Sequence, residues 1–228
     1  MLIIFDLDDT LIDTSRYLTP IVFKNTIKEL ISNGLQIDED WAIKTIFQID
    51  KKSISSKESI KKFLSDIFAK KIFFDIAFKA MTSQKNEIKI FTLKNAKSTL
   101  RYLSKAHKLA IVTKGDVKFQ FEKIKKAGID TSLFSKIVVT KKSKQLEYKR
   151  IMKDLGYESL DTFVCGDRVE YDLKPAKKIG CSTIHMKWGR GKKIFKNEDR
   201  KVVDYTINSL EEILKILDTK IEVKNAGK

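Results

Sequence analysis

Two carboxylates stand where the first apolar run of the chain ends, in Leu2-Ile3-Ile4-Phe5-Asp6-Leu7-Asp8. Alternate side chains of an extended segment share a side, so Asp6 and Asp8 aim at one region. Like charges that close are unfavourable unless a proton or a cation separates them. A hard divalent cation with oxygen ligands, magnesium first, removes that penalty and also suits a phosphoryl group, whose oxygen can join its octahedral shell. Further acidic ligands are then expected. Asp167 and Asp172 supply them in Val164-Cys165-Gly166-Asp167-Arg168-Val169-Glu170-Tyr171-Asp172, where another apolar run ends in Gly-Asp. Gly166 leaves room for backbone and ion to approach closely.

Between these stands Ile111-Val112-Thr113-Lys114-Gly115-Asp116, a strand pattern ending in a hydroxyl residue just before a helix start. Thr113 and Lys114 are candidates to bind a phosphoryl group, helped by the backbone N–H groups that a helix start leaves free. The run Ile137 to Thr140 is followed by Lys141, Lys142 and Lys144. One of these should neutralise transferred phosphate, since a site handling a dianionic ester needs a fixed cation. The other two read as loop surface.

The elements that must position these groups follow from patterning. Short β-rich runs recur at Leu2 to Leu7, Leu109 to Thr113, Ile137 to Thr140, Thr162 to Cys165, Ser182 to Met186 and Tyr205 to Ile207. Helical patterns lie between them, which predicts an α/β fold with a Rossmann-like parallel sheet and carboxylates at its carboxyl edge. Helix faces are read at Val117, Phe121 and Ile124, and at Tyr148, Ile151, Met152 and Leu155. Ser209 and Glu212 read as a capping box. The segment after the first run breaks this rhythm. It carries helical patterns at Ile21 to Ile31, Trp41 to Ile49 and Ile60 to Phe78, and is longer than a crossover needs. It is expected to be an inserted, mainly helical domain of residues 15–89, leaving residues 1–14 and 90–228 as the catalytic core.

At 228 residues, 42% hydrophobic and 33% charged, the chain is globular rather than disordered. The net charge of +16 favours anionic partners. The excess is mostly Lys on helical faces, such as Lys61, Lys62, Lys70, Lys71, Lys123, Lys125 and Lys126, and reads as solvated surface. Cys165 and Cys181 fit no metal or redox spacing and read as reduced packing residues. The first apolar run meets aspartates too early for a signal peptide or membrane span, so a cytoplasmic protein is expected.

Taken in order, Asp-x-Asp-x-Thr, the strand-end Thr, a Lys and Gly-Asp-x-x-x-x-Asp resemble the four motifs of the haloacid dehalogenase superfamily, over nearly the whole chain. The resemblance implies that Asp6 attacks phosphorus to form an aspartyl phosphate, while Asp8 protonates the leaving oxygen and then deprotonates water. It implies that magnesium is held by Asp6, the backbone carbonyl of Asp8, and Asp167, with Asp172 in support. The lysine departs from the Lys-Pro-x-Pro form common in relatives. Many relatives place an aromatic residue six positions after it, which counts back from Tyr148 to Lys142, with Lys144 second. Asp8 argues against carbon–halogen cleavage, because dehalogenating members lack a carboxylate there. Phosphonate cleavage would need a Schiff-base lysine in the insert.

The insert resembles the helical caps that choose substrates in this superfamily. Its Trp41, Phe47, Phe63, Phe68, Phe73, Phe74 and Phe78 read as core. Arg168 stands where relatives usually carry a small hydroxyl residue, and reads either as a surface ion-pair partner or as a contact to substrate phosphate. His107 and His185 match no motif position. The expected activity is magnesium-dependent hydrolysis of a small phosphorylated metabolite. The alternatives are a phosphosugar mutase with the same site, or a basic nucleic-acid-binding protein using the Gly189-Arg190-Gly191-Lys192-Lys193 loop. No nucleic-acid motif is present, so that partner is not expected.

Overall fold

The structure is a computed structural model that describes residues 1–53, 55–82 and 88–226; the expected cap includes residues 54 and 83–87, which lie outside them. The chain divides into two compact units, Met1–Asp13 with Phe91–Lys228, and Thr14–Ile90.

The larger unit begins with β1 (Leu2–Phe5), every residue of which is buried. The smaller unit follows. It opens with a π-type turn, Thr14–Leu18, and continues as α1 (Thr19–Ser32), α2 (Glu39–Asp50), α3 (Ser56–Asp66) and α4 (Lys71–Thr82). Asp38 caps α2 by accepting from the Trp41 N–H, and Ser55 caps α3 by accepting from the Glu58 N–H. Each thereby satisfies a donor that a helix start leaves free. These helices enclose their own apolar interior around Phe23, Ile27, Ile46, Ile60, Phe63 and Leu64. Inside it the Ser59 hydroxyl donates to Asp50 at 2.7 Å, tying α3 to α2.

Two expectations for this unit need correction. The helical run read from Ile60 to Phe78 is two helices, because Phe68 takes a left-handed backbone (φ 53°) that no helix can contain. Phe47, Phe63, Phe73, Phe74 and Phe78 do pack in or against the interior, but Trp41 is half exposed and Phe68 is 94% exposed.

The larger unit resumes with α5 (Ala96–Leu103), β2 (Lys108–Lys114), α6 (Val117–Lys126), β3 (Lys136–Thr140) and α7 (Lys144–Leu155). Then come β4 (Thr162–Gly166), α8 (Lys174–Lys177), β5 (Ser182–Met186), α9 (Gly189–Ile194), β6 (Tyr205–Ile207) and α10 (Glu212–Ala226). Among the described residues all six strands form one parallel sheet in the order β3-β2-β1-β4-β5-β6. The central strands β1, β2, β4 and β5 are buried on both faces and read as nearly continuous apolar runs, while the edge strands β3 and β6 are only partly covered. At the start of α10 only half of the capping box forms. Glu212 accepts from the Ser209 N–H at 2.9 Å, while the Ser209 hydroxyl has no partner.

The strand order reverses between β1 and β4, and α/β sheets bind ligands beyond the carboxyl ends of strands at such a point. The register pairs Phe5 with both Ile111 and Cys165. Asp6, Thr113 and Asp167 therefore emerge together at that edge. No helix of the described residues is long and apolar enough to cross a membrane.

Candidate active site

Asp6 continues the ladder beyond β1, its N–H donating to the Cys165 carbonyl at 2.9 Å. The ligand oxygens of Asp6, Asp167 and Asp172 lie within 4.8 Å of one another, and all three residues are buried. Asp172 reaches this cluster by lying over Gly166, where any Cβ would stand 2.6 Å from the Asp172 side chain. The room left by this glycine is thus filled by Asp172. The Asp172 carboxylate also accepts from the Arg168 backbone N–H at 3.0 Å.

Among the described residues one ammonium serves this cluster. Lys144 Nζ donates to Asp6 at 2.7 Å and to Asp172 at 2.6 Å, and its side chain is 2% exposed. Lys142, reached by counting back from Tyr148, is exposed, and its backbone N–H donates to the Thr140 hydroxyl. The lysine that meets the acidic cluster is Lys144, not Lys142. Ser143 caps α7, so Lys144 is the first helical residue and Tyr148 sits one turn later on the same face. A cation at a helix N-terminus opposes the macrodipole. Two buried carboxylates offset that disadvantage and hold the side chain inward.

The charge balance explains the proton affinities. Burial pushes the Asp6 carboxyl up to about 7, with Lys144 opposing and Asp172 and Asp8 adding to the rise. Burial likewise raises Asp167 well above the carboxylate range, helped by Asp9, Asp172 and Asp6 and opposed by Arg168. Burial works against the Lys144 charge, but Asp172 and Asp6 outweigh it and hold its pKa well above the usual value. One ammonium does not offset three buried carboxylates. The remaining deficit, expressed in oxygen ligands close enough to share one small ion, fits a hard divalent cation such as magnesium.

Asp8 lies apart from that cluster. Both its carboxylate oxygens accept from Lys123 Nζ at 2.6 Å, and one accepts from Gln120 Nε2 at 3.2 Å. The same Gln120 nitrogen donates to the Thr113 hydroxyl at 2.6 Å and to the Lys114 carbonyl at 2.9 Å. Thr113 is buried at the end of β2, whereas Lys114 is exposed, with its ammonium 5.5 Å from the Tyr171 ring centroid. One helix-start donor is already used, since Asp116 caps α6 by accepting from the Phe119 N–H.

Lys123 and Gln120 escape a reading by polarity. Lys123, expected on the solvated surface, is 4% exposed and Gln120 is 2% exposed. Val117 and Phe121, expected to face inward, are 52% and 42% exposed. The inward stripe of α6 is Gln120, Lys123 and Ile124, with Ala127 just beyond, an i, i+3, i+4, i+7 pattern in which two polar residues face the site.

Asp167 is braced from behind. His185 on β5 is fully buried and donates from Nε2 to the Asp167 carbonyl at 3.1 Å, while its ring stacks on Phe195. Gly191 of α9 packs so tightly that a Cβ there would stand 1.9 Å from the Asp167 carbonyl oxygen. The basic segment considered for nucleic acid is therefore anchored to the acidic cluster at its centre.

The chain belongs to the haloacid dehalogenase-like hydrolases, whose family pattern it matches over residues 3–186. Among its relatives are two proteins named glyceraldehyde 3-phosphate phosphatase. The one from Methanocaldococcus jannaschii is 31% identical over 94% of this chain and 96% of its own length. That from Pyrococcus furiosus is 26% identical over 95% of this chain and 92% of its own length. A HAD-hydrolase from Bacillus subtilis, YfnB, solved bound to magnesium, shares the fold with a TM-score of 0.68 at 16% identity, covering 95% of this chain and 97% of that one. The chain is a phosphoric monoester hydrolase of this family.

Proposed function

We propose that this protein is a magnesium-dependent phosphatase of a small phosphorylated sugar, with Asp6 as nucleophile. The observation that carries the reading is the cluster of Asp6, Asp167 and Asp172, two of them paired with Lys144, at the point where the strand order reverses. Asp6, Asp167, Asp172 and the Asp8 backbone carbonyl would hold the ion. When bound, it would offset the negative charge of nucleophile and phosphate and so favour their approach.

An Asp6 oxygen attacks phosphorus, the bond from phosphorus to the ester oxygen breaks, and Asp8 gives its proton to that leaving oxygen. Water then attacks the aspartyl phosphate, Asp8 takes its proton, and phosphate leaves with Asp6 restored. Lys144 supplies the fixed positive charge for the phosphoryl oxygens and Thr113 a hydroxyl donor. The cytoplasm is the location assigned, and substrate selection is assigned to the inserted helical unit.

Glyceraldehyde 3-phosphate is the first substrate to test, because two relatives aligned over more than nine-tenths of this chain carry that name. Phosphate release would be followed for this substrate and an aryl phosphate, with magnesium and with chelator, in wild type and Asp6→Asn. Release that needs magnesium and is lost in the variant is expected. Full activity in Asp6→Asn would sink the mechanism, and a rearranged phosphosugar in place of free phosphate would identify a mutase.

A further inference from the structure

Arg168 stands immediately after Asp167, and its backbone is tied to Asp172. Its Nε and Nη2 are shielded from solvent, yet neither has a hydrogen-bond partner. A guanidinium is always charged and presents its donors as a rigid fork matched to carboxylate or phosphate. Burying such donors without an acceptor is unfavourable, so each case calls for an explanation.

Its neighbours supply one. The Arg168 guanidinium carbon lies 5.6 Å from the Tyr171 ring centroid, and Lys114 Nζ lies 5.5 Å from the same centroid. Neither cation has a carboxylate within ion-pair distance among the described residues. Lys114 ends β2 beside Thr113 and, by strand alternation, points to the opposite side. Two positive charges from the ends of β2 and β4 thus gather on one aromatic ring at the sheet edge that carries the acidic cluster. An aromatic face tolerates such charges, but their mutual repulsion remains until an anion joins them.

We propose that Lys114 and Arg168, gathered on Tyr171, form a second anion site for an acidic group of the substrate away from the phosphoryl being transferred. The inference rests on the phosphatase reading and moves its preferred substrate from the sugar phosphate to the corresponding acid. The preferred class is a short phosphomonoester with a further anionic group, such as a phosphorylated hydroxy acid, over the uncharged aldehyde of the same carbon skeleton.

The test compares kcat/KM for 3-phosphoglycerate and glyceraldehyde 3-phosphate, which carry phosphate on the same carbon and differ as carboxylate and aldehyde. Wild type should favour the acid. Arg168→Gln should lower the acid-to-aldehyde ratio by about tenfold or more, chiefly through KM, as expected for a lost charge-assisted hydrogen bond. Arg168→Lys should fall between, since it keeps the charge without the fork. Lys114→Gln alters an exposed side chain, should lower the ratio in the same direction, and carries the test if the Arg168 variants do not fold. Hydrolysis of both substrates without preference for the acid, or a ratio unchanged in folded Arg168→Gln and Lys114→Gln, overturns the second site and leaves the phosphatase reading standing. No phosphate release from either substrate or from an aryl phosphate would bring down both.

Discussion

Lys123 Nζ lies 2.6 Å from each carboxylate oxygen of Asp8, so a residue on the inner face of α6 fixes where the proposed acid–base group sits. The pair is uneven in burial, the lysine side chain being 4% exposed and the aspartate 31%. Removing a positioning partner of this kind slows turnover more than it weakens substrate binding. Lys123→Met should lower kcat by roughly 10- to 100-fold with a smaller change in KM, and Lys123→Arg should recover part of the loss. Steady-state kinetics of both variants would check this, and a full kcat in Lys123→Met would remove the positioning role.

Lys144 and Lys142 should separate cleanly. Lys144→Met leaves Asp6 and Asp172 buried against each other without their shared ammonium. Turnover should fall by on the order of 10² to 10³, and stability in chelator by about 3–5 kcal/mol, the usual penalty for breaking a buried pair. Magnesium should restore part of that stability. Lys142→Met should remain within about twofold of wild type in kcat/KM, as a solvated loop lysine does. Phosphate release and thermal melts with and without magnesium would measure both.

Gly191→Ala should act through Asp167. The added methyl has no room beside the Asp167 carbonyl, so α9 or the acidic turn must shift. The magnesium concentration for half-maximal activity should rise by about 10- to 100-fold, the range seen when support of a metal ligand is disturbed. Calorimetric titration with magnesium gives the same readout without turnover, and an unaltered affinity would show that the turn adapts.

Asp204 carries a pH prediction of its own. Partial burial disfavours its charge, but hydrogen bonds from Lys177 and from the N–H and hydroxyl of Thr183 outweigh this and hold its pKa below the usual value. A carboxylate with a lowered folded pKa contributes stability that is fully present above its unfolded pKa of about 3.9. That contribution is lost as pH falls through the folded value. Asp204→Asn should therefore be less stable than wild type at neutral pH, with the gap closing in acid. Urea unfolding at several pH values would show this, and a gap independent of pH would contradict it.

Much of this was legible in the sequence, and the exceptions share a cause. Strands buried on both faces write themselves as apolar runs, and the acidic pairs at their ends announced a cation. Lys144 came second because the six-residue count back from Tyr148, drawn from the resemblance, lands on Lys142, whereas the ammonium that meets Asp6 and Asp172 stands only one helical turn before Tyr148. Gln120 and Lys123 were hidden for a related reason, since periodicity sorts residues by polarity and these two are polar residues turned inward. Phe68 shows the reverse case, an exposed aromatic whose left-handed backbone splits what periodicity reads as one helix.

The central claim, that Asp6 carries the phosphoryl group, is most directly tested by mass spectrometry of Asp8→Asn after brief incubation with magnesium and an aryl phosphate, whose leaving group departs without a proton from Asp8, followed by acid quench. Without its acid–base group the enzyme should form the aspartyl phosphate faster than it hydrolyses it. One phosphoryl group on the peptide containing Asp6, absent from Asp6→Asn, is the expected result. A phosphoryl group on any other residue, or none on Asp6 while the variant still releases phosphate, would contradict it.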